Sequence, residues 1–407
     1  MNFELTKEQR MVRDMVKDFA ASEIAPKAIE VDRTGRFPEE TFKKMGDLGL
    51  LGLPIPEQYG GAGADTVSYA IAVEEVGNAC GGTGLSYAAS VSLGASPLLN
   101  FGNEQQKQDF LVPICTGESL GSFGLTEPNA GSDAGGTKTT AVLDGEEYVI
   151  NGEKCWITNA AYAKAVIITA VSGKKDNGRN NISAFIVPTH LDGFTITSPY
   201  EKMGVRGSNT TELILTDVRI PKENILGDPE KGFGQFLHTL DGGRISIGAL
   251  AVGIAQAAYD RPRYAKQRKQ FGKNIGSFQS IQFKLADMAM EIELARTMFI
   301  RLLGKTRKNP FKKEAAFAKL YASEMATRVC NQSIQIHGGS GYMQEYEVER
   351  MLRDAKLMEI GEGTSEIQRL VISREIGRTM STEFEKGGQH AKNGTCCESR
   401  RNCLQNY

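Results

Sequence analysis

The chain has 407 residues, of which 40% are apolar and 24% are charged, and its formal net charge is -1. That length is too great for one hydrophobic core and indicates two or three domains. Because the charges balance and no apolar run is long enough to cross a bilayer, we expect neither a nucleic-acid partner nor a membrane partner.

Residues 1–6 form no secretory signal, and they are too acidic for a transit peptide. We therefore expect a bacterial cytoplasmic protein, or a mitochondrial matrix protein if the chain is the processed form of a eukaryotic one. Four scattered cysteines are expected in the core of a protein from a reducing compartment: Cys80, Cys115, Cys155 and Cys330. Because no cysteine or histidine spacing resembles a zinc site, we expect no metal.

Residues 1–117 predict an N-terminal helical domain. Thr6 is a suitable N-cap for a long amphipathic helix, and Pro38 precedes a second helix. The glycine-rich segment 59–63 interrupts the pattern. Further helices are expected near residues 66–80, 84–101 and 103–112.

Residues 118–229 are β-branched and rich in turns. Segment 141–150 is a hairpin signal with Asp144-Gly145 at the turn. Further strands are expected at residues 165–170, 182–187 and 212–215. This pattern favours a compact antiparallel barrel or sandwich.

Residues 230–378 are helical again. One helix carries apolar residues at alternating steps of four and three, which predicts the seam of a bundle: Ile281, Leu285, Met288, Ile292, Ala295, Phe299 and Leu302. Met290, beside Met288, is also expected in the core. The polar tail 379–407 lacks periodicity and is expected to be disordered. The fold class is therefore α+β.

The glycine-rich fingerprints of dinucleotide-binding and P-loop enzymes are absent, which disfavours both classes. Instead, segment 361–369 places Glu362 between two glycines ahead of a helix. Gly363 allows close approach of another molecule, and the helix N-terminus offers free N–H groups. A carboxylate shielded from water in this position has a raised pKa and can act as a general base. A capped surface helix with a solvated glutamate is the alternative.

Other segments offer weaker signals when each is taken alone. Segment 123–133 is either a ligand-binding loop or a surface turn. Trp156, the single tryptophan, with Thr158 nearby, suits stacking beside an aromatic ring system or filling a core. Asp241 and Arg244 are three residues apart on a helix and could form a local ion pair.

Two more segments suit a phosphate group. Residues 268–272 supply cations, and residues 335–339 supply backbone N–H groups. In this order and spacing, the segments named here make the chain resemble the acyl-CoA dehydrogenase family, flavoproteins that desaturate acyl-CoA thioesters. The resemblance extends from about Leu5 to Gly377.

The resemblance implies a helical domain (1–117), a β-barrel domain (118–229) and a C-terminal four-helix bundle (230–378). It also implies FAD as cofactor, acyl-CoA as substrate, an electron-transfer flavoprotein as electron acceptor and a homotetramer. The implied FAD contacts, of which Arg268 and Gln279 reach a neighbouring subunit, are Phe123, Leu125, Thr126, Ser132, Trp156, Thr158, Arg268, Gln279, Gln335, Gly338, Gly339, Thr364 and Glu366. The implied substrate contacts are Ser132, Phe233, Asp241, Arg244, Gly361 and Gly363.

Glu362 is implied to be the base that removes the α-proton while a hydride leaves Cβ for flavin N5, giving a trans-2-enoyl-CoA. Some family members carry the base on the helix near Leu240, but here Gly242 and Gly243 occupy that region. Straight-chain enzymes often have tyrosine before the base, whereas this chain has Gly361. We therefore expect a wide pocket for a short acyl group that is branched, cyclic or aryl. Residues 81–106 lack Arg and Lys, which disfavours a dicarboxylyl substrate.

Three other functions compete with this one. An acyl-CoA oxidase would use O₂, but such oxidases generally carry an extra C-terminal helical domain. A catalytically silent CoA- or flavin-binding scaffold is disfavoured because Glu362, Thr126, Trp156 and Arg268 are all present. A purely structural helical protein would have no use for the β-rich insert and glycine-rich loops.

Overall fold

The computed structural model describes residues 4–261, 263–303 and 312–392. The α-helices are α1 (Lys7–Phe19), α2 (Ala28–Thr34), α3 (Glu39–Asp47), α4 (Thr66–Ala79), α5 (Gly81–Ala89), α6 (Ser96–Phe101), α7 (Glu104–Gln106), α8 (Val112–Cys115), α9 (Gly232–Asp260), α10 (Arg263–Gln267), α11 (Gln279–Leu303), α12 (Lys312–His337), α13 (Val348–Met358) and α14 (Ser365–Lys392). The strands are β1 (Phe123–Gly124), β2 (Thr140–Asp144), β3 (Glu147–Thr158), β4 (Ala165–Lys174), β5 (Asn180–Pro188), β6 (Phe194–Ile196), β7 (Thr210–Pro221), β8 (Lys269–Gln270) and β9 (Lys273–Asn274). The α+β fold class is thus confirmed.

The N-terminal helices begin as the sequence predicts. Thr6 forms a capping box with Gln9, in which the Thr6 Oγ1 accepts from the Gln9 N–H at 3.2 Å. α4 lies directly against α9, where Gly77 and Gly253 permit a close approach. A Cβ atom at Gly253 would lie 2.2 Å from the Glu74 carbonyl oxygen. The N-terminal and C-terminal helices therefore share one continuous hydrophobic core.

The middle domain is a curled seven-stranded sheet. β2 and β3 form the predicted hairpin, with Gly145 at φ +64° in the turn. β5 lies on one edge of β4, and β1 and β2 share its other edge, followed by β3, β7 and β6. β1 and β2 run parallel to β4, so the prediction of a wholly antiparallel sheet was wrong. Between β2 and β4 the chain reverses along β3 and then reverses again, so β4 points in the same direction as β2.

The C-terminal domain contains four long helices, α9, α11, α12 and α14, with the shorter α13 between the last two. The seam residues Met288, Ile292, Ala295 and Phe299 are buried as predicted, and Ile281 and Leu285 are partly buried. The side chain of Leu302 lies outside the described part of the structure.

Two predictions for this domain were wrong. Met290 is 56% exposed, because two residues after Met288 the helix has turned by about 200°. α14 continues to Lys392 although the tail was expected to lose structure at Thr379; residues 379–386 contain neither glycine nor proline, so nothing local stops the helix before Gly387. Residues 393–407, with Cys396, Cys397 and Cys403, lie outside the described residues. The other four cysteines are buried, as predicted.

α13 connects all three domains immediately before the segment that carries Glu362. The Arg353 guanidinium donates to both carboxylate oxygens of Asp32 in α2, at 2.9 and 2.6 Å, and to the Met203 carbonyl at 3.0 Å. The Val205 N–H donates to Asp354. A Cβ atom at Gly204 would lie 2.3 Å from the Arg353 carbonyl oxygen, so glycine is required at this junction.

Within the described ranges, no helix combines the length and apolarity that crossing a bilayer requires.

Candidate active site

Glu362 lies in the turn between α13 and α14. The Gly361 N–H closes the preceding turn by donating to the Leu357 carbonyl, and the Thr364 hydroxyl accepts from the Ile367 N–H in the first turn of α14. Glu362 itself has φ +52°, a left-handed conformation that is uncommon for a residue with a side chain. This backbone directs the carboxylate towards α9.

Glu362 is partly buried, and one of its carboxylate oxygens is shielded from water. Its Oε2 atom is buried and makes no hydrogen bond to a described residue. Burial raises the pKa of Glu362 to about 7, although the positive charges of Lys319 and Arg244 act in the opposite direction. A carboxyl group with this pKa is ionised in a large fraction of molecules at neutral pH and accepts a proton readily.

Gly243 of α9 makes room for this carboxylate. A Cβ atom at Gly243 would lie 1.8 Å from Glu362 Oε2, which is far inside van der Waals contact. At the adjacent Gly242, a Cβ atom would meet nothing within 4 Å. In some family members this region of α9 carries the base. In this chain, the missing side chain at Gly243 leaves the space that Glu362 uses instead.

Lys319 and Gln368 hold the backbone around Glu362, and the sequence analysis missed both. Lys319 Nζ donates to the Gly363 carbonyl at 2.8 Å, and Gln368 Nε2 donates to the same oxygen at 2.9 Å. Both side chains are fully buried. The sequence did contain a signal for Lys319. This lysine has the helical spacing of the buried alanines of α12, where an apolar residue is expected.

A second feature that the sequence analysis missed is a buried group of hydroxyls near Glu362. Ser246 Oγ lies 2.9 Å from the Gly243 carbonyl oxygen and 3.1 Å from Ser92 Oγ. Tyr69 donates to the Ala88 carbonyl at 3.0 Å. Burial raises the pKa of Tyr69, and the negative charge of Glu362 adds to that rise, so this phenol stays protonated.

The predicted substrate residues of α9 follow one another along that helix. The Asp241 carboxylate is paired with the Arg244 guanidinium, as the spacing predicted, and Arg244 is buried. Burial raises the pKa of Asp241, although Arg244 opposes this shift. Two turns earlier, the Phe233 ring lies near the 131–136 loop that carries the exposed Ser132; a Cβ atom at Gly135 would be 3.9 Å from it.

The predicted flavin segments of the middle domain lie side by side. The Cys155 N–H donates to the Thr126 carbonyl at 2.9 Å, and the Ser122 hydroxyl donates to the Thr158 carbonyl at 2.8 Å. Phe123 stacks on Phe236 of α9, with ring centroids 4.1 Å apart. This contact connects the flavin segments to the helix that borders Glu362.

Trp156 lies at an irregularity between β3 and β7, with φ +59°. It is 63% exposed, which rules out the core-filling alternative. An outward indole on the segment that pairs with Thr126 and carries Thr158 fits a ligand that combines a flat ring with polar edges, as the isoalloxazine of FAD does.

A buried ion pair that the sequence analysis missed supports this loop. Lys154 Nζ lies 2.7 Å from Glu127 Oε1 and donates to the Leu125 carbonyl at 3.2 Å. Burial opposes ionisation of Glu127, but the Lys154 charge and the Lys138 N–H outweigh it and lower the pKa of Glu127 to about 2. The loop between Phe123 and Ser132 is therefore fixed from beneath by a charge pair.

The remaining predicted FAD residues divide between two places. Thr364 lies in the turn that carries Glu362, and Glu366 lies in the first turn of α14. Five others are exposed and lie in and around α10–α12: Arg268, Gln279, Gln335, Gly338 and Gly339. Tyr264 connects part of this second group, because its ring stacks on His337 and its hydroxyl lies 3.2 Å from Ser340 Oγ. Among the described residues, no hydrogen bond or ring contact joins this group to Trp156 or Glu362.

No group of three or more histidine, cysteine or acidic residues suited to a metal ion occurs among the residues the structure describes. The site is therefore built from a shielded carboxylate, a polar loop with an exposed indole, and a helix that carries an ion pair. These are the features expected of an enzyme that binds a flavin and a thioester.

Family models agree with this description. The N-terminal, middle and C-terminal domains of acyl-CoA dehydrogenase match residues 6–118, 122–218 and 230–377, respectively. The chain therefore belongs to the acyl-CoA dehydrogenase family, which confirms the resemblance. It is an oxidoreductase that acts on the CH–CH group of an acyl-CoA, and its cofactor is FAD.

Two curated relatives are similar over nearly their full length. The probable acyl-CoA dehydrogenase YngJ of Bacillus subtilis is 73% identical over 92% of this chain and 100% of its own length. A short-chain specific acyl-CoA dehydrogenase of Clostridium acetobutylicum is 48% identical over 93% and 100%, respectively.

Two solved structures have the same fold. Butyryl-CoA dehydrogenase from Megasphaera elsdenii superposes with a TM-score of 0.90 at 44% identity, covering 92% of this chain and 100% of that one. An acyl-CoA dehydrogenase from Bacillus anthracis complexed with FAD gives a TM-score of 0.88 at 37% identity, covering 93% and 69%, respectively.

The glycine beside the base provides the first test. We expect Gly243→Ala to lower kcat by about 100-fold or more with FAD retained, because the added methyl group would displace the Glu362 carboxylate and errors of about 1 Å have effects of this size. Turnover and flavin absorbance measure the two properties. Gly242→Ala is the matched control, since its methyl group meets open space, and it should keep near-normal activity. Equal losses in both variants would contradict this role for Gly243.

Proposed function

We propose that this enzyme desaturates a short-chain acyl-CoA at Cα–Cβ to the trans-2-enoyl-CoA, with Glu362 as the base that removes the α-proton. The observation that carries the proposal is the Glu362 carboxylate itself, whose Oε2 atom is buried and lacks a hydrogen-bond partner and whose pKa is near neutrality. FAD, when bound, supplies the acceptor for the hydride that leaves Cβ.

The α-proton of a thioester is too weakly acidic for a solvated carboxylate, so the surroundings of the base must help. Desolvation raises its proton affinity. Negative charge that develops on the thioester oxygen needs hydrogen-bond donors, each typically worth about 3–4 kcal/mol. Among the described residues, the Glu362 N–H has no acceptor, and the family resemblance assigns it to this oxygen.

The remaining predicted residues hold the two ligands. Phe123, Leu125, Thr126, Trp156 and Thr158 are proposed to border the flavin ring, with Thr364 and Glu366 at its other side. Ser132, Phe233, Asp241 and Arg244 are proposed to line the CoA arm. Gly361 and Gly363 border the acyl thioester, where the absence of side chains leaves space.

Replacing the base tests the mechanism. We expect Glu362→Gln to keep FAD and to lower turnover by about 1,000-fold or more, because general-base catalysis typically contributes 100- to 10,000-fold. In the parent enzyme, kcat/KM should fall as pH decreases through about 7, since only the ionised carboxylate accepts a proton. Full activity of the glutamine variant would reassign the base.

The acyl pocket is proposed to accept branched, cyclic or aryl groups because Gly361 precedes the base. A Cβ atom at this position would meet the Leu357 carbonyl oxygen at 3.5 Å, an ordinary contact, so a side chain can be accommodated there. The similar enzyme from Megasphaera elsdenii is named for butyryl-CoA, which makes a straight short chain the direct competitor.

Gly361→Tyr should therefore narrow the pocket without displacing the backbone. We expect kcat/KM for 2-methylbutyryl-CoA and cyclohexanecarboxyl-CoA to fall at least 10-fold, while that for butyryl-CoA changes less than about 3-fold, because extra bulk of this kind is worth roughly 1–3 kcal/mol. A parent enzyme that uses only the straight chain would refute the wide pocket.

Electrons are proposed to pass to an electron-transfer flavoprotein. Reduction of that acceptor without formation of peroxide would support a dehydrogenase, whereas stoichiometric peroxide would favour the oxidase. Bleaching of the flavin by acyl-CoA under anaerobic conditions would exclude the silent scaffold. We assign the enzyme to the bacterial cytoplasm, in keeping with its similarity to a Bacillus subtilis protein.

A homotetramer is proposed from the family resemblance and from an exposed apolar stripe on α11. Phe283, Met290 and Leu294 share one face of this helix and are 59%, 56% and 52% exposed. Such a stripe suits a second copy of the chain. In a tetramer, Arg268 and Gln279 would reach the FAD of a neighbouring subunit.

Met290→Glu tests this assembly, because a charge in an apolar interface opposes association. We expect the parent to have the mass of four chains by light scattering and the variant to shift towards smaller species. Glu293→Gln, on the same exposed surface but without added charge, is the control. A monomeric parent would contradict the proposal.

A further inference from the structure

Lys319 is a buried ammonium group that the proposed mechanism does not use. It is fully buried in α12, on the same helix face as Ala315, Ala322 and Ala326. Burying an ammonium group costs several kcal/mol unless nearby groups compensate. Other groups must therefore compensate for the burial of Lys319 within the alanine face.

The contacts of Lys319 lead to the base. Its Nζ donates to the Gly363 carbonyl at 2.8 Å, and Gln368 Nε2 donates to the Gly363 and Glu362 carbonyls at 2.9 and 3.2 Å. These bonds hold two consecutive left-handed residues, with φ +52° at Glu362 and +91° at Gly363. Such a backbone persists only where the surroundings fix it.

The charges around the base distinguish Lys319 from its neighbours. Glu362 is faced by Lys319 from α12, by Arg244 from α9 and by Tyr69 from α4. Arg244 is already paired with Asp241, so part of its charge is neutralised. Lys319 also lies near Glu359 and Glu366, but its hydrogen bond goes to a neutral carbonyl, which leaves its charge to act on Glu362.

We propose that Lys319 is a positioning residue for the base: it fixes the Gly363 carbonyl and places a positive charge beside the Glu362 carboxylate. The inference rests on Glu362 being the base. Lys319 does not touch the reacting atoms, so it acts only through Glu362.

The first test is the pH profile of kcat/KM. Lys319→Met removes the charge and keeps an unbranched side chain. We expect its acid limb to move up by about one pH unit, because a nearby opposite charge lowers a carboxyl pKa by at least that much. Activity should then fall about 5-fold at pH 7 and much less at pH 9. Lys319→Arg should restore the parent profile, and Lys313→Met, on the same helix, is the matched control.

The second test does not use activity. Above pH 4.5, burial of ionised Glu362 destabilises the fold, so the stability of the enzyme relative to its Glu362→Gln variant should fall with rising pH and level off near pH 7. In the Lys319→Met background, the levelling should occur at higher pH. If that variant does not fold, Lys319→Gln carries the same comparison.

The outcomes separate the two proposals. An equal loss of activity at every pH in Lys319→Met, with an unchanged stability curve, would overturn the role of Lys319 and leave Glu362 as the base. An active Glu362→Gln variant would overturn the base itself, whatever Lys319 does.

Discussion

The site depends on keeping one carboxylate away from water without neutralising it. Raising the pKa of Glu362 from 4.5 to about 7 corresponds to about 3 kcal/mol of unfavourable burial at high pH. The surroundings limit that cost with the cations Lys319 and Arg244, and Gly243 leaves the space that the carboxylate needs. A stronger ion pair would stabilise the fold further, but it would also make the group a poorer base.

The carboxylate lies between the N-terminal and C-terminal domains, and α9 and α13 connect its surroundings to the middle domain. α9 crosses from the predicted flavin segments, through the Phe123–Phe236 stack, to Gly243 beside Glu362. α12 contributes Lys319 from the other side, and α13 sets the position of the turn that carries Glu362. The loop that contains Thr126 is fixed from within the middle domain by the Lys154–Glu127 pair. The shielded carboxylate and the exposed indole therefore come from different domains.

Local sequence signals predicted most of the framework. Thr6, Pro38 and the hairpin turn at Gly145 have short-range causes, and the helix seam follows from periodicity. Parallel pairing of β1 and β2 with β4 was missed because strand direction depends on how distant segments return to one another. Burial of Met288 was a poor guide to burial of Met290, because residues two positions apart lie on nearly opposite faces of a helix.

At the site, Glu362 and its glycines could be inferred because they form a continuous motif, and the family resemblance supplied the flavin and substrate residues. Lys319, Gln368, Tyr69 and the Lys154–Glu127 pair could not be assigned in this way. Each acts through a partner far away in the sequence, and a lysine inside an alanine-rich helix shows only that something must compensate its charge.

The contacts among Asp32, Arg353 and Val205 affect how the molecule unfolds. Because α13 is bonded there to the N-terminal and middle domains and runs directly into the turn of Glu362, heat that breaks these bonds should also release that turn. Loss of catalysis and loss of tertiary structure should therefore coincide on warming, with no partly melted form that still turns over substrate.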